Sequence, residues 1–351
     1  MKALGEITYR EIYGQPESFE AVASTFGALS ETAARVFSEK SYEKLIFTGC
    51  GTSFYLAQTA AFFFAQLTGF ATAAVPCSEL YYFPLTYIKA GPTLVLPITR
   101  KSYTTEVRMA IDRVRELPNV STLAITCDEG SAIYNDHVAL SPNAPEDSIV
   151  MTRSYTSMVY LSLALAAMAG GKREMLPGLA GMGRRARALL PRMDAFAARI
   201  LAAHPSLNLY VILGQGAMYG AANECMNKIK EMSLLASEAY PSLEYRHGPM
   251  SLADENTLVM LLGGEETLSK DAALLAQLKD FGVTAAAVAP EASRHFPMAD
   301  DALDLEPGYS TLENVALAAQ IGQFLGYHAS RQKKLDADTP RHLSQAIVLN
   351  P

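Results

Sequence analysis

Apolar residues in this chain fall into short continuous runs, separated by longer segments in which they recur at helical spacing. The runs at 44–48, 71–75, 93–97 and 121–126 read as strands buried on both faces. Between and after them, 55–67 and 105–117 read as amphipathic helices and 152–169 as a long apolar one. The same order then returns, with a strand at 208–213, a helix at 221–235, strands at 257–262 and 283–288, and a last long helix at 311–333. Alternation of this kind is the pattern of a parallel sheet covered by helices on both faces. It starts near 44 and again near 208, and each time the first strand ends in a glycine turn, Gly49-Cys50-Gly51-Thr52-Ser53 and Gly214-Gln215-Gly216. The predicted class is α/β, with two doubly wound parallel-sheet subdomains related by internal duplication. The predicted division is a helical segment over 1–35, a first subdomain over 36–175, a helical linker over 176–205, a second subdomain over 206–335 and a C-terminal arm over 336–351.

Composition narrows the function classes. A chain of 351 residues, half hydrophobic and 19% charged, suits two well-packed domains and no disordered region. The net charge of -7 and pI near 5.5 provide no electrostatic footprint for nucleic acid, so an anionic ligand needs a local site. The first residues lack the apolar core of a signal peptide, and the longest apolar stretches fall short of a membrane span, so no membrane partner is expected. Cysteines at 50, 77, 127 and 225 have neither metal-ligand nor redox spacing, which suits a reducing cytoplasm. Cys50, in its glycine-rich turn, reads as a small buried thiol. His137, His204, His295 and His328 form no pair with ligand spacing, so no metal and no cofactor are expected.

Two constellations carry chemistry. On the 221–235 helix, Lys228 and Glu231 project from one face, with Glu224 one turn earlier. A carboxylate beside an ammonium stays ionised and can act as a base. A histidine in the turn Tyr245-Arg246-His247-Gly248-Pro249 can act as acid or base. An ion-paired surface helix followed by a loop histidine accounts for the same pattern. The second constellation suits an anion. The turn at 49–53 lets the backbone approach a phosphate at a helix N-terminus, and Thr52 and Ser53 add hydroxyls, although helix capping explains it as well. After the strand at 93–97 comes Thr99-Arg100-Lys101-Ser102-Tyr103-Thr104-Thr105-Glu106, with hydroxyls and two cations just before a helix. Two such loops after neighbouring strands point to one bound phosphate. The second-half loop Gly263-Gly264-Glu265-Glu266 is acidic, so one site per chain is expected.

With these segments in place the chain resembles the two-SIS-domain sugar isomerases, typified by the isomerase part of glucosamine-6-phosphate synthase. The resemblance rests on Glu11-Ile12-Tyr13-Gly14-Gln15-Pro16, the 49–53 turn, the 99–104 loop, Ala144-Pro145-Glu146 followed by Thr152-Arg153-Ser154-Tyr155, the Lys228 to His247 segment, and the tail Asp336-Ala337-Asp338-Thr339-Pro340-Arg341-His342-Leu343. It implies that Glu231 moves a proton between carbons 1 and 2 of an open-chain sugar. His247 would assist ring opening, arriving from a neighbouring subunit of a homodimer, and Lys228 would steady the enediol oxygen or Glu231. Ser53, Thr99 and Thr104 would hold the 6-phosphate, and Gly51, Thr52, Arg100, Lys101, Ser102, Glu146, Thr152 and Gln345 complete the expected binding set, the tail lying as an arm over the active site. The family pattern has Ser and Gly where this chain has Lys101 and Ser102. It has a catalytic lysine where this chain has Gln345, whose neutral amide forms no Schiff base. The family's glutamine-hydrolysing domain has no counterpart in the sequence, so full glutamine-dependent synthesis is not expected. The resulting expectation is a phosphosugar isomerase-deaminase acting on a 6-phosphorylated amino sugar or fructosamine by Glu/His proton transfer. A plain sugar-phosphate isomerase and a non-catalytic sugar-phosphate sensor are the alternatives.

Overall fold

The computed structural model describes residues 4–38 and 41–349. In chain order the helices are α1 (Glu6–Tyr13), α2 (Gln15–Ser24), α3 (Phe26–Phe37), α4 (Thr52–Thr68), α5 (Cys77–Tyr82), α6 (Pro84–Tyr87), α7 (Thr105–Arg115), α8 (Arg153–Ala169), α9 (Leu176–Ala180), α10 (Met182–Ala203), α11 (Ala217–Ser233), α12 (Leu268–Lys279), α13 (Ala292–His295), α14 (Thr311–Ala318) and α15 (Gln320–Gln332). The strands are β1 (Lys44–Gly49), β2 (Ala71–Pro76), β3 (Thr93–Thr99), β4 (Val120–Thr126), β5 (His137–Leu140), β6 (Leu209–Gly214), β7 (Ala236–Tyr240), β8 (Thr257–Leu262), β9 (Thr284–Pro290) and β10 (Asp301–Leu305). They fall into two compact units. One, here the N-terminal unit, comprises Gln15–Glu146, Arg153–Gly183 and Ser344–Pro351; the other, the C-terminal unit, comprises Met1–Gly14, Asp147–Thr152 and Arg184–Leu343.

Each unit holds a five-stranded parallel sheet. The N-terminal unit has the order β2-β1-β3-β4-β5, and the C-terminal unit has β10-β9-β8-β6-β7, which read from its other edge is the same order. This is the doubly wound duplication expected from the sequence. In that order the chain leaves the first strand, pairs one neighbour, and returns on its other side, so a crevice opens where the direction of winding reverses. In the N-terminal unit that point lies beyond the C-terminal ends of β1 and β3, which pair in register from Lys44 opposite Thr93 to Thr48 opposite Pro97.

The central strands β3 and β8 are buried along their whole length, as continuous apolar runs require, whereas β2, β5, β7 and β10 lie at sheet edges. Three of the edge strands, β5, β7 and β10, were not foreseen. Their sequences, His-Val-Ala-Leu, Ala-Ser-Glu-Ala-Tyr and Asp-Ala-Leu-Asp-Leu, carry the polar side chains that an edge exposed to solvent tolerates, so no apolar run marks them. The helix expected at 221–235 ends at Ser233, because Leu234 takes a left-handed conformation (φ 56°) that frees the chain to enter β7. The helix expected at 311–333 is two helices meeting at Ala319. Among the described residues no helix is long and apolar enough to cross a membrane.

Candidate active site

The N-terminal unit places both hydroxyl-rich loops at its switch point. Gly51 has φ 54° and ψ -126°, a conformation that L side chains rarely adopt, and Gly216 repeats it in the C-terminal unit with φ 59° and ψ -125°. A Cβ on Gly49 would stand 2.6 Å from the Ser53 carbonyl carbon, so the first turn of α4 passes directly against the strand end. Thr52 and Ser53, both buried, open α4. No side chain caps α4 or α7, so the capping explanation for the two loops is not realised. In the 99–104 loop the hydroxyls of Thr99 and Thr104 donate to the Lys101 carbonyl at 2.7 and 3.3 Å. The Ser102 amide donates to Asp128 at 2.8 Å. Burial works against the Asp128 carboxylate, but hydrogen bonds from Ser102 and Gly130 and the charge of Lys101 outweigh it and hold its pKa below the ordinary value. Asp128, which sequence reasoning missed, thus anchors the loop; its only signal was an aspartate two residues beyond a strand.

Arg100 is not turned to solvent. Its guanidinium is 5% exposed, donates to the buried carboxylate of Glu146 at 3.1 Å, and donates to the Gln345 carbonyl at 2.8 Å. The Gln345 amide donates in turn to the Glu146 carbonyl at 3.0 Å. Glu146 also accepts from the backbone and hydroxyl of Ser154. The last residues continue along α7, where the Thr105 amide donates to Ile347 and the Leu349 amide to the Thr105 hydroxyl. Arg100, Glu146 and Gln345 therefore form one cluster that fastens the chain end beside the 99–104 loop of this unit.

The C-terminal unit holds Lys228, Glu231, His247 and Thr152. The Lys228 ammonium is 1% exposed. It lies 3.4 Å from the fully buried Glu224 carboxylate and is hydrogen-bonded to Glu231, which is 22% exposed. Asn227 donates to the other Glu231 oxygen at 2.9 Å, an i,i+4 contact that sequence reasoning did not single out. The surface ion-pair reading of this helix thus fails at Lys228 and Glu224, which lie in the interior. α11 is positioned by α15, whose Gly322 and Gly326 leave no room for a Cβ against Cys225 and the Lys228 carbonyl. Of the two carboxylates that hold the lysine, Glu231 is the one that reaches solvent. In the histidine turn, Tyr245 is buried in the core and Arg246 donates to Gln277 of α12 at 2.9 Å. His247 is exposed, and its ring makes no hydrogen bond to another described residue. Beside it is an open depression of about 610 Å³ lined by Arg246, Gly248, Met250, Ser251, Ala253 and Phe281. Thr152 is buried, its carbonyl accepting from Gln323 at 3.2 Å. Among the described residues no three His, Cys, Asp or Glu side chains gather as a metal site.

Two parallel sheets of one order, each opening a helix with a glycine of the same conformation, define a duplicated, doubly wound α/β fold. The chain belongs to the SIS domain family, whose model matches residues 40–168 and 208–309. It is similar to the D-galactosamine-6-phosphate deaminase of Escherichia coli, 30% identical over 79% of this chain and 76% of that protein. It is 24% identical to the glutamine–fructose-6-phosphate aminotransferase (isomerizing) of Chlamydia muridarum over 97% of this chain, which spans 58% of that protein's length. Among solved structures, the glucosamine-6-phosphate deaminase of Thermotoga maritima superposes with a TM-score of 0.78 at 26% identity, covering 97% of this chain and 99% of that one. Its relatives are thus sugar-phosphate isomerases and deaminases.

Proposed function

We propose that this protein deaminates and isomerises a 6-phosphorylated amino sugar. The observation that carries the reading is the buried Lys228, clasped by Glu224 and by a Glu231 whose carboxylate reaches solvent. Such a carboxylate is fixed in direction and placed to take a proton from carbon 2 of an open-chain sugar and return it to carbon 1. The resulting imine at carbon 2 adds water and releases ammonia, so one water enters and one amine leaves per turnover. His247, exposed and free to turn, serves ring opening, and we assign its approach to the substrate of a second subunit in a homodimer. Ser53, Thr99, Thr104 and Lys101 anchor the 6-phosphate, supported by their place at the β1/β3 switch point. Gln345 donates no proton of its own, which suits a route completed by Glu231 and His247 alone. The similarity to the two deaminases supports amine release over simple isomerisation.

The test incubates the protein with glucosamine 6-phosphate, galactosamine 6-phosphate and fructoselysine 6-phosphate and follows released amine. Ammonia release from at least one of the two amino-sugar phosphates is expected, and lysine release alone would place the amine of the substrate on carbon 1. The Glu231→Gln variant should retain binding yet lose the exchange of the carbon 2 hydrogen with solvent by about 10²–10⁴-fold. Exchange without amine release would replace deamination by plain isomerisation. Binding without exchange in the unaltered chain would make the protein a sensor.

A further inference from the structure

β1 and β2 pair in parallel register up to Gly49 opposite Pro76. The next residues are Cys50 and Cys77, so two thiols follow matched positions on strands that lie about 4.8 Å apart, inside the Cα separation a disulfide spans. Both side chains join one apolar cluster with Val107, Ala110 and Ile111. Their thiols share a hydrogen bond, Cys77 also accepting from the Thr48 hydroxyl at 3.4 Å. Cys77 is buried and Cys50 partly exposed, so a small oxidant reaches one sulfur and the other is already beside it. The bond with Cys50 lowers the Cys77 pKa, whereas the same bond and burial raise that of Cys50. Cysteines 27 residues apart have no redox spacing; it is the strand register that makes them neighbours.

We propose that Cys50 and Cys77 are a reversible dithiol pair, oxidised by a peroxide to a disulfide that draws the 49–53 turn out of its anion-binding conformation. The Cys50 sulfur, losing its proton, attacks the peroxide oxygen, forming a sulfenic acid and releasing the alcohol, or water from hydrogen peroxide. The second thiol then attacks that sulfur, the S–S bond forms, the S–O bond breaks and water leaves. Two thiols lose two electrons and the peroxide gains them. The turn has no slack to absorb the pull, since Gly49 lies against the Ser53 backbone and Gly51 holds a positive φ. The disulfide itself is independent of the assigned activity, whereas its effect on ligand rests on the phosphosugar reading.

The full chain is treated with hydrogen peroxide, digested with chymotrypsin, which cuts at Phe62, Phe63 and Phe64 between the two cysteines, and mapped by mass spectrometry without reductant. A Cys50–Cys77 linked peptide that disappears with dithiothreitol is expected. In parallel, calorimetric affinity for galactosamine 6-phosphate and for inorganic phosphate is expected to fall at least tenfold on oxidation and return on reduction. The Cys77→Ala and Cys77→Ser variants should bind like the reduced protein and ignore peroxide. Absence of the linked peptide overturns the proposal, as does a linked protein of unchanged affinity. If the reduced protein binds neither probe, the phosphosugar reading fails, and the peptide map alone still decides the disulfide.

Discussion

At the scale of single residues, the chemistry depends on side chains that could not be where they are without specific neighbours. Lys228 is inside the protein because Glu224 and Glu231 neutralise it; an ammonium alone would not be buried there. Arg100 shows the opposite case. It belongs to the expected binding set, and its buried guanidinium goes to Glu146 and to the Gln345 carbonyl, while Lys101 of the same loop lies nearer to solvent. Gly49 is where one methyl group has the largest consequence. In Gly49→Ala the new Cβ meets Ser53 carbonyl atoms at 2.6 and 2.7 Å, and backbone cannot give way as a side chain tip would. The variant is expected to lose about 1–3 kcal/mol of stability and at least tenfold in sugar-phosphate affinity. Denaturant unfolding and calorimetry check both, and wild-type affinity would mean that the turn does not hold the anion.

At the scale of elements, the motifs at the chain ends turn out to be fasteners. Asp338 accepts from the Ile7 and Thr8 amides and the Thr8 hydroxyl, and Asp336 accepts from Gly5, so the tail's acidic residues meet the N-terminus of α1, where the helix dipole favours them. Glu11 on α1 accepts from Asp147 and Ser148 and holds the segment that leads to Thr152. On the next turns, Tyr9, Tyr13 and His328 all donate or bond to Asp194, at 2.5, 2.8 and 2.5 Å, joining α1, α10 and α15. Burial pushes the Asp194 carboxyl up, but those three hydrogen bonds and the charge of His328 bring it below its ordinary value. Stability from this group is therefore complete above the unfolded pKa, about 3.9, and is lost as pH falls through the lower folded value. Asp194→Asn cannot titrate, so the stability gap between wild type and variant is expected to narrow as the pH is lowered from about 5 through the acid range. Urea titrations across that range check it, and a gap independent of pH would assign the cluster no electrostatic role.

At the scale of the whole molecule, a chain of net charge -7 is proposed to take a dianionic substrate, so attraction must come from one crevice and not from the surface at large. Saturation with such a ligand should stabilise the fold by mass action. At a hundredfold excess over Kd the gain is about 2.7 kcal/mol, read as a rise in Tm, and it should be absent in a Ser53→Ala, Thr99→Val double variant; equal shifts in both proteins would place the phosphate elsewhere. The sequence by itself determined the α/β class, the duplication and the glycine turns, because fully buried parallel strands need unbroken apolar runs and a turn at positive φ favours glycine. It also singled out Lys228, Glu231 and His247, because three residues of helix spacing and a Gly-Pro turn are local properties. Only the tertiary structure decided that Lys228 and Glu224 are interior, that Arg100 is committed to Glu146, that edge strands exist at β5, β7 and β10, and that Cys50 and Cys77 are neighbours. Burial, strand register and pairing across hundreds of residues are set by how distant segments pack, and spacing along the chain carries no record of that.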